Sequence, residues 1–202
     1  MKKSLLGLLL AVAMVVPAFA TDKGAMELDV KAGISIEPIL IQSYSSGENC
    51  GYTAGTTYSL GADFHYYVVN NLGLGLGINH LFSSDMNESW GPGSKVGATN
   101  IYLSVKPVFE LQENKFIDKI YFLGHLGYGI LETDEFYYNY SKFNELDNGI
   151  YWAIGVGVEK YNVIVELMYS VNYSSLDQSS YGGVVDWTYR NVAINIGYKF
   201  AL

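Results

Sequence analysis

From Met26 to Ile36 an apolar residue stands at every second position. Met26, Leu28, Val30, Ala32, Ile34 and Ile36 share one face, and Glu27, Asp29, Lys31, Gly33 and Ser35 share the other. Period two is the period of a strand, whose successive side chains point to opposite faces. The pattern returns seven times with different letters. Tyr58, Leu60, Ala62, Phe64, Tyr66 and Val68 alternate with Ser59, Gly61, Asp63, His65 and Tyr67, and Leu72, Leu74, Leu76 and Ile78 with Gly73, Gly75, Gly77 and Asn79. A fourth segment sets Ile101, Leu103, Val105, Pro107 and Phe109 against Tyr102, Ser104, Lys106, Val108 and Glu110. A fifth sets Ile120, Phe122, Leu126, Tyr128 and Ile130 against Tyr121, Leu123, His125, Gly127 and Gly129. The last three run over Ile150–Glu159, Val163–Tyr173 and Val192–Leu202, which makes eight predicted strands.

The glycine run at 73, 75 and 77 does not fit a phosphate-gripping loop, because G-x-G-x-x-G wants its third glycine where Ile78 or His80 stands. The run is therefore read as strand. Links between strands alternate in length. Asn70-Asn71, Gln112 to Asp118 and Lys160-Tyr161-Asn162 are short, whereas Glu37 to Thr57, Ser83 to Thr99, Leu131 to Gly149 and Ser174 to Asp186 are long. Short turns on one rim and loops on the other describe an up-and-down barrel.

Which face points outward decides between a soluble sandwich and a membrane barrel. Charge collects on one face with the glycines, and the other face is nearly free of it along every strand. The interior of a small barrel could not hold so many Ile, Leu, Trp and Tyr side chains. The expected fold is thus all-β, an eight-stranded antiparallel up-and-down transmembrane β-barrel with its apolar face outward in lipid. Lipid offers no hydrogen-bond partner to a free edge, so only a closed sheet satisfies the backbone. Aromatics are expected in two belts, Tyr66, Phe109, Phe122, Tyr198 and Phe200 toward the turns and Tyr58, Tyr128, Trp152, Tyr169 and Tyr173 toward the loops. Pro107 cannot donate to a ladder and is expected near the turn rim or at a bulge.

Ahead of the strands, Lys2 and Lys3, an apolar run from Leu5 to Val16 and Pro17-Ala18-Phe19-Ala20 follow the order of a secretory signal peptide. Residues 1–20 are read as that peptide, cleaved after Ala20, and residues 21–202 as one barrel domain. Without Lys2 and Lys3, 10 of the 12 basic residues face 20 acidic ones, a formal charge near −10. Nucleic acid is excluded as an expected partner. Cys50 is the single cysteine and can close no disulfide within the chain.

The segments "MKKSLLGLLLAVAMVVPAFA", "YYVVNNLGLGLGINH", "YLSVKPVFEL" and "VAINIGYKF" resemble the bacterial outer-membrane β-barrel domain family, in its small eight-stranded OmpX-like and OmpW-like group. The resemblance covers residues 25–202. It implies location in the outer membrane, contact with its lipid and lipopolysaccharide, and insertion by an assembly machinery that reads an aromatic-ended last strand. Here Phe200 lies two residues before the final Leu202. It also implies a structural or surface-interaction role through extracellular loops, with passive passage of small solutes, apolar or cationic, as the alternative.

Some barrels of this size look similar and act on lipid A. Their histidine two residues before a serine is missing here, since His65, His80 and His125 are followed at that distance by Tyr67, Phe82 and Gly127. No enzyme, cofactor or metal site is therefore expected, and the grouping Ser59, Asp63 and His65 is set aside. The candidate lumen cluster is Glu27, Asp29, Lys31, Asp63, His65, Lys106, Glu110, His125, Glu159, Glu166 and Lys199. It reads either as a packed core of salt bridges and tyrosines or as a narrow acid-lined water path beside the inner glycines. The candidate interaction surface is the third long loop, with Glu132, Asp134, Glu135, Phe136, Tyr137, Tyr138, Tyr140 and Phe143. The chain is expected to be a monomer.

Overall fold

The computed structural model describes residues 22–43, 49–86, 95–111, 116–133, 136–138, 141–143, 148–178 and 183–202. Residues 1–20, read above as a signal peptide, lie outside them. The strands are β1 (Met26–Ser43), β2 (Asn49–Thr53), β3 (Thr57–Val69), β4 (Leu72–Asp85), β5 (Lys95–Glu110), β6 (Lys119–Thr133), β7 (Phe136–Tyr138), β8 (Ser141–Phe143), β9 (Gly149–Lys160), β10 (Val163–Gln178) and β11 (Gly183–Ala201). Eight of them wind in antiparallel order β1-β3-β4-β5-β6-β9-β10-β11, and β11 returns to pair with β1, from Glu27↔Ala201 to Ser43↔Asp186. The sheet is closed. Leu202 adds one more tie, donating from its backbone N to the carbonyl of Met26 at 3.0 Å.

Alternation produced these strands, and it sorts their side chains as the sequence indicates. Leu76, Leu103, Leu126, Ile154 and Ile196 are each more than half exposed, while Asp29, Asp63, His65, Tyr121 and Ile164 on the opposite faces have no exposed surface. An apolar ring exposed all the way round suits lipid and not water. Belt aromatics meet in pairs. Phe109 and Phe122 stand edge to face at 5.9 Å and Trp152 and Tyr169 at 5.7 Å, while Tyr198 and Phe200, two residues apart on β11, are tilted against each other at 4.9 Å.

The short turns follow local chemistry. At Tyr161-Asn162 both residues take positive φ, 49° and 67°, the left-handed pair that matches the twist of a two-residue hairpin. Asp118 reaches across to clamp this turn, accepting from Lys160 Nζ at 2.7 Å and from the Tyr161 amide at 3.1 Å. The Lys160 hydrogen bond first, then that amide, hold the Asp118 carboxyl below its ordinary range. Pro107 lies opposite Leu72, next to the Asn70-Asn71 turn, where a missing donor disturbs the ladder least.

The loop side departs from the sequence reading. All four stretches expected as long loops contain strand: β1 runs on to Ser43, β2 folds back on it, β4 and β5 extend to Asp85 and from Lys95, β7 and β8 form a small ladder, and β10 and β11 stay paired to Gln178↔Gly183. Above the lipid nothing requires either face of a strand to be apolar, so alternation no longer marks it. In β1 a bulge between Ile36 and Ile39, with Glu37 at φ 42°, also reverses the phase, turning Pro38, Leu40 and Gln42 inward where odd-numbered residues had been.

Candidate functional site

Each inward residue of an eight-stranded barrel meets partners from across the bore, because the interior is only as wide as its side chains. The lumen here is layered. Nearest the turns, Lys106 Nζ lies 2.5 Å from Glu27 Oε1 and 2.7 Å from Asp29 Oδ2, with its ammonium 4.4 Å from the centre of the Tyr121 ring. Tyr67 OH donates to Glu27 at 2.9 Å. Lys199 pairs with Glu159 at 2.5 Å and reaches Glu27 at 4.0 Å. His65 Nε2 bonds Ser104 Oγ at 2.9 Å, and its Nδ1 stands 3.6 Å from Glu27 and 3.8 Å from Asp29. Donor atoms of Glu27, Asp29 and His65 lie within 4.8 Å of one another, the spacing of a metal site, yet the Lys106 ammonium already stands against both carboxylates.

One layer up, Lys31 bridges Asp63 and Glu166, the latter at 2.9 Å. Tyr102 OH donates to Asp63 at 2.7 Å and Tyr121 OH to Glu166 at 3.1 Å. His125 stacks on Tyr102 with ring centres 4.1 Å apart. The space at inner glycines is filled from neighbouring strands. A Cβ on Gly77 would strike Asp63 and the Tyr102 ring, and one on Gly157 would strike the Tyr121 ring. Absent side chains on one strand make room for tyrosines from another, so they do not leave a bore.

Above this layer is a cavity of about 20 Å³, bordered by Ser59, Asn79, Asn100, Asn172 and Asn195. That is room for about one water molecule. Over it lies an apolar cap of Leu40, Leu81, Val96, Leu131, Trp187 and Tyr189, all buried. The sequence pattern puts these cap residues in or beside loops and does not mark them as core. The bulge in β1 hid Leu40, and Trp187 and Tyr189 sit beyond the segment whose alternation was legible.

Ten of the eleven predicted lumen residues are buried in the bore. Glu110 is not. It is exposed at the turn rim, 3.6 Å from Lys119, because β5 has passed the last lumen layer by that point. Five buried carboxylates, Glu27, Asp29, Asp63, Glu159 and Glu166, thus face three buried lysines among the described residues. Ser59, Asp63 and His65 do not act together: Ser59 contacts Asn195 at 3.5 Å, Asp63 pairs with Lys31, and His65 bonds Ser104.

Of the predicted loop surface, Phe136, Tyr137 and Tyr138 form β7, and Phe136 lies opposite Phe143 in β8. Asp134, Glu135 and Tyr140 lie outside the described residues. Glu132 is on the outer wall of β6, close to His80 and Thr99 of neighbouring strands.

No protein-family model and no curated protein matches this sequence. Solved structures do. The outer membrane protein AlkL in DMPC lipid bilayers is similar at TM-score 0.54 and 12% identity over 92% of this chain and 93% of its own. Ail, the attachment invasion locus protein of Yersinia pestis, is similar at TM-score 0.50 and 15% identity over 88% and 99%. The outer membrane protein OprG from Pseudomonas aeruginosa gives TM-score 0.49 and 12% identity over 90% and 99%. At such identities the likeness is one of fold, and that fold is the small eight-stranded barrel of bacterial outer membranes.

Proposed function

We propose that this eight-stranded outer-membrane barrel, exported by a signal peptide cleaved after Ala20, serves as a surface protein. Its bore is a rigid core and its extracellular loops make the contacts. The observation that supports this most is the filled lumen: lysine–carboxylate pairs and tyrosines close it in two layers, and apolar side chains cap it. A conducting path needs a water-filled width along its whole length, and the cap, with Leu40, Val96, Trp187 and Tyr189 at 0% exposure, fills the section it occupies. The third loop, with acidic residues beside Phe136, Tyr137, Tyr138 and Phe143, is the proposed contact surface, and envelope lipopolysaccharide is the proposed partner.

Purified protein in planar bilayers is expected to show no discrete conductance steps. Reproducible cation-selective steps would reverse the assignment in favour of passive solute passage. That second reading draws on the apolar cap, whose side chains would have to part to admit an apolar solute. The loop is tested separately by deleting residues 136–144. The shortened barrel should still fold in lipid vesicles, because both ends of the deletion lie in the long connection from β6 to β9, and it should retain less lipopolysaccharide through purification than the full chain. Equal retention would remove the third loop from the contact surface.

A further inference from the structure

On β4, β5 and β6, three neighbouring strands of the wall, the outward apolar column is interrupted at the same level, and on β4 Phe82 resumes it above. Above Ile78 the next outward residue is His80, above Ile101 the next is Thr99, and above Ile130 the next is Glu132. The three polar residues are in contact. Thr99 Oγ1 donates to Glu132 Oε1 at 2.7 Å and lies 2.9 Å from His80 Nδ1, while His80 Nδ1 and Glu132 Oε1 are 3.8 Å apart. Because the threonine hydroxyl has only one proton and gives it to Glu132, the ring must supply the proton of the other bond. Phe82, edge to face with the imidazole at 4.7 Å and 88°, fixes the ring from above.

This cluster is on the outer wall, not in the bore. The side chain of His80 is 37% exposed and that of Glu132 46%, at the height where hydrocarbon gives way to lipid headgroups. Among the described residues, no lysine or arginine pairs with Glu132. A carboxylate facing lipid phosphates at close range is repelled unless positive charge is placed between them. Once an ion displaces the proton on His80 Nδ1, the cluster offers one nitrogen and two oxygen donors, spaced so that a single ion about 2.0–2.6 Å from each could touch all three.

We propose that His80, Thr99 and Glu132 form a divalent-cation site on the barrel wall, whose remaining coordination positions take phosphate oxygens of the adjacent lipid. Three strands would then be tied to the leaflet through one ion. The proposal rests on the reading of this wall as lipid-facing, and it gives lipid contact a defined place outside the third loop. Carboxylates with phosphates are the ordinary ligand set of such ions, and the imidazole shifts preference toward ions that accept nitrogen.

Mn²⁺ is the probe, since it accepts both donor types and broadens nearby nuclear resonances. The full chain is folded into nanodiscs of phosphatidylcholine, or of phosphatidylcholine with phosphatidic acid, and Mn²⁺ is titrated alone. The His80 ring and Thr99 methyl signals should broaden first. Glu132→Gln and His80→Gln should each raise the half-broadening concentration tenfold or more, and Asp186→Asn, on β11, should leave it unchanged. In discs containing phosphatidic acid, the gap between wild type and Glu132→Gln should widen several-fold. Broadening spread over all acidic residues and indifferent to Glu132→Gln, or an equal gap in the two lipids, would overturn the proposal. Folding of each variant is read independently by its heat-modifiable gel mobility. An error in the lipid-facing assignment would show instead in the Val165→Arg experiment below.

Discussion

Lys106→Met is expected to destabilise the folded barrel by about 3–5 kcal/mol, the range for removing one partner of a buried ion pair. Lys106 is fully buried and holds Glu27 at 2.5 Å and Asp29 at 2.7 Å. Methionine keeps most of the side chain's length but none of its charge. Two carboxylates would then share the turn-side layer with only the more distant Lys199 to oppose them, and with His65 already bonded to Ser104. Urea unfolding from lipid vesicles measures the loss. Adding Glu27→Gln and Asp29→Asn to the same chain should recover most of it, because the cost comes from uncompensated charge and not from lost packing. A single-variant loss below about 1 kcal/mol would mean that water reaches this layer and screens it.

Val165→Arg is expected to cost about 2–4 kcal/mol, the value for a cation on the lipid face near the bilayer midplane. Val165 sits in β10 between Val158 and Ile196, apolar neighbours on both sides. Glu166→Gln, one residue along and pointing into the bore, should cost less, because Lys31 keeps Asp63 and the amide oxygen can still accept from Tyr121. Vesicle insertion yields and unfolding midpoints report both. The opposite ranking would show the two faces to be exchanged.

Both expectations were available in outline from the chain itself, since the lipid span is where period two is strictest. Leu72 to Ile78 and Val192 to Phe200 could be assigned to faces by counting alone, and the structure leaves them there. Alternation fails where its cause is absent. Beyond the lipid no constraint keeps one face apolar, so the upper parts of β1, β4, β5, β10 and β11 read as loop. The lumen was legible as a membership and not as a network. Parity puts Lys31, Asp63 and Glu166 on inner faces, but their meeting depends on shear and register between β1, β3 and β10, which no local pattern encodes. Glu110 shows the same limit in reverse: parity says inward, and height along the strand removes it from the bore. His80, Thr99 and Glu132 are distant in sequence, and only strand neighbourhood brings them together.

Closure of β1 against β11 joins Glu27 to Ala201, nearly the whole length of the domain. The seam is therefore made from the first and last strands of the barrel in chain order, and until β11 is in place both β1 and β10 carry open edges. The Lys199 contacts with Glu159 and Glu27 belong to the same late event. Contacts of such separation form slowly, since chain entropy must be lost before they are gained. A chain cut before β11 would lack the seam and one of the three buried lysines together. Strand β11 thus acts as a completeness check on the barrel: only a copy that includes it can hide the edges of β1 and β10 from other chains.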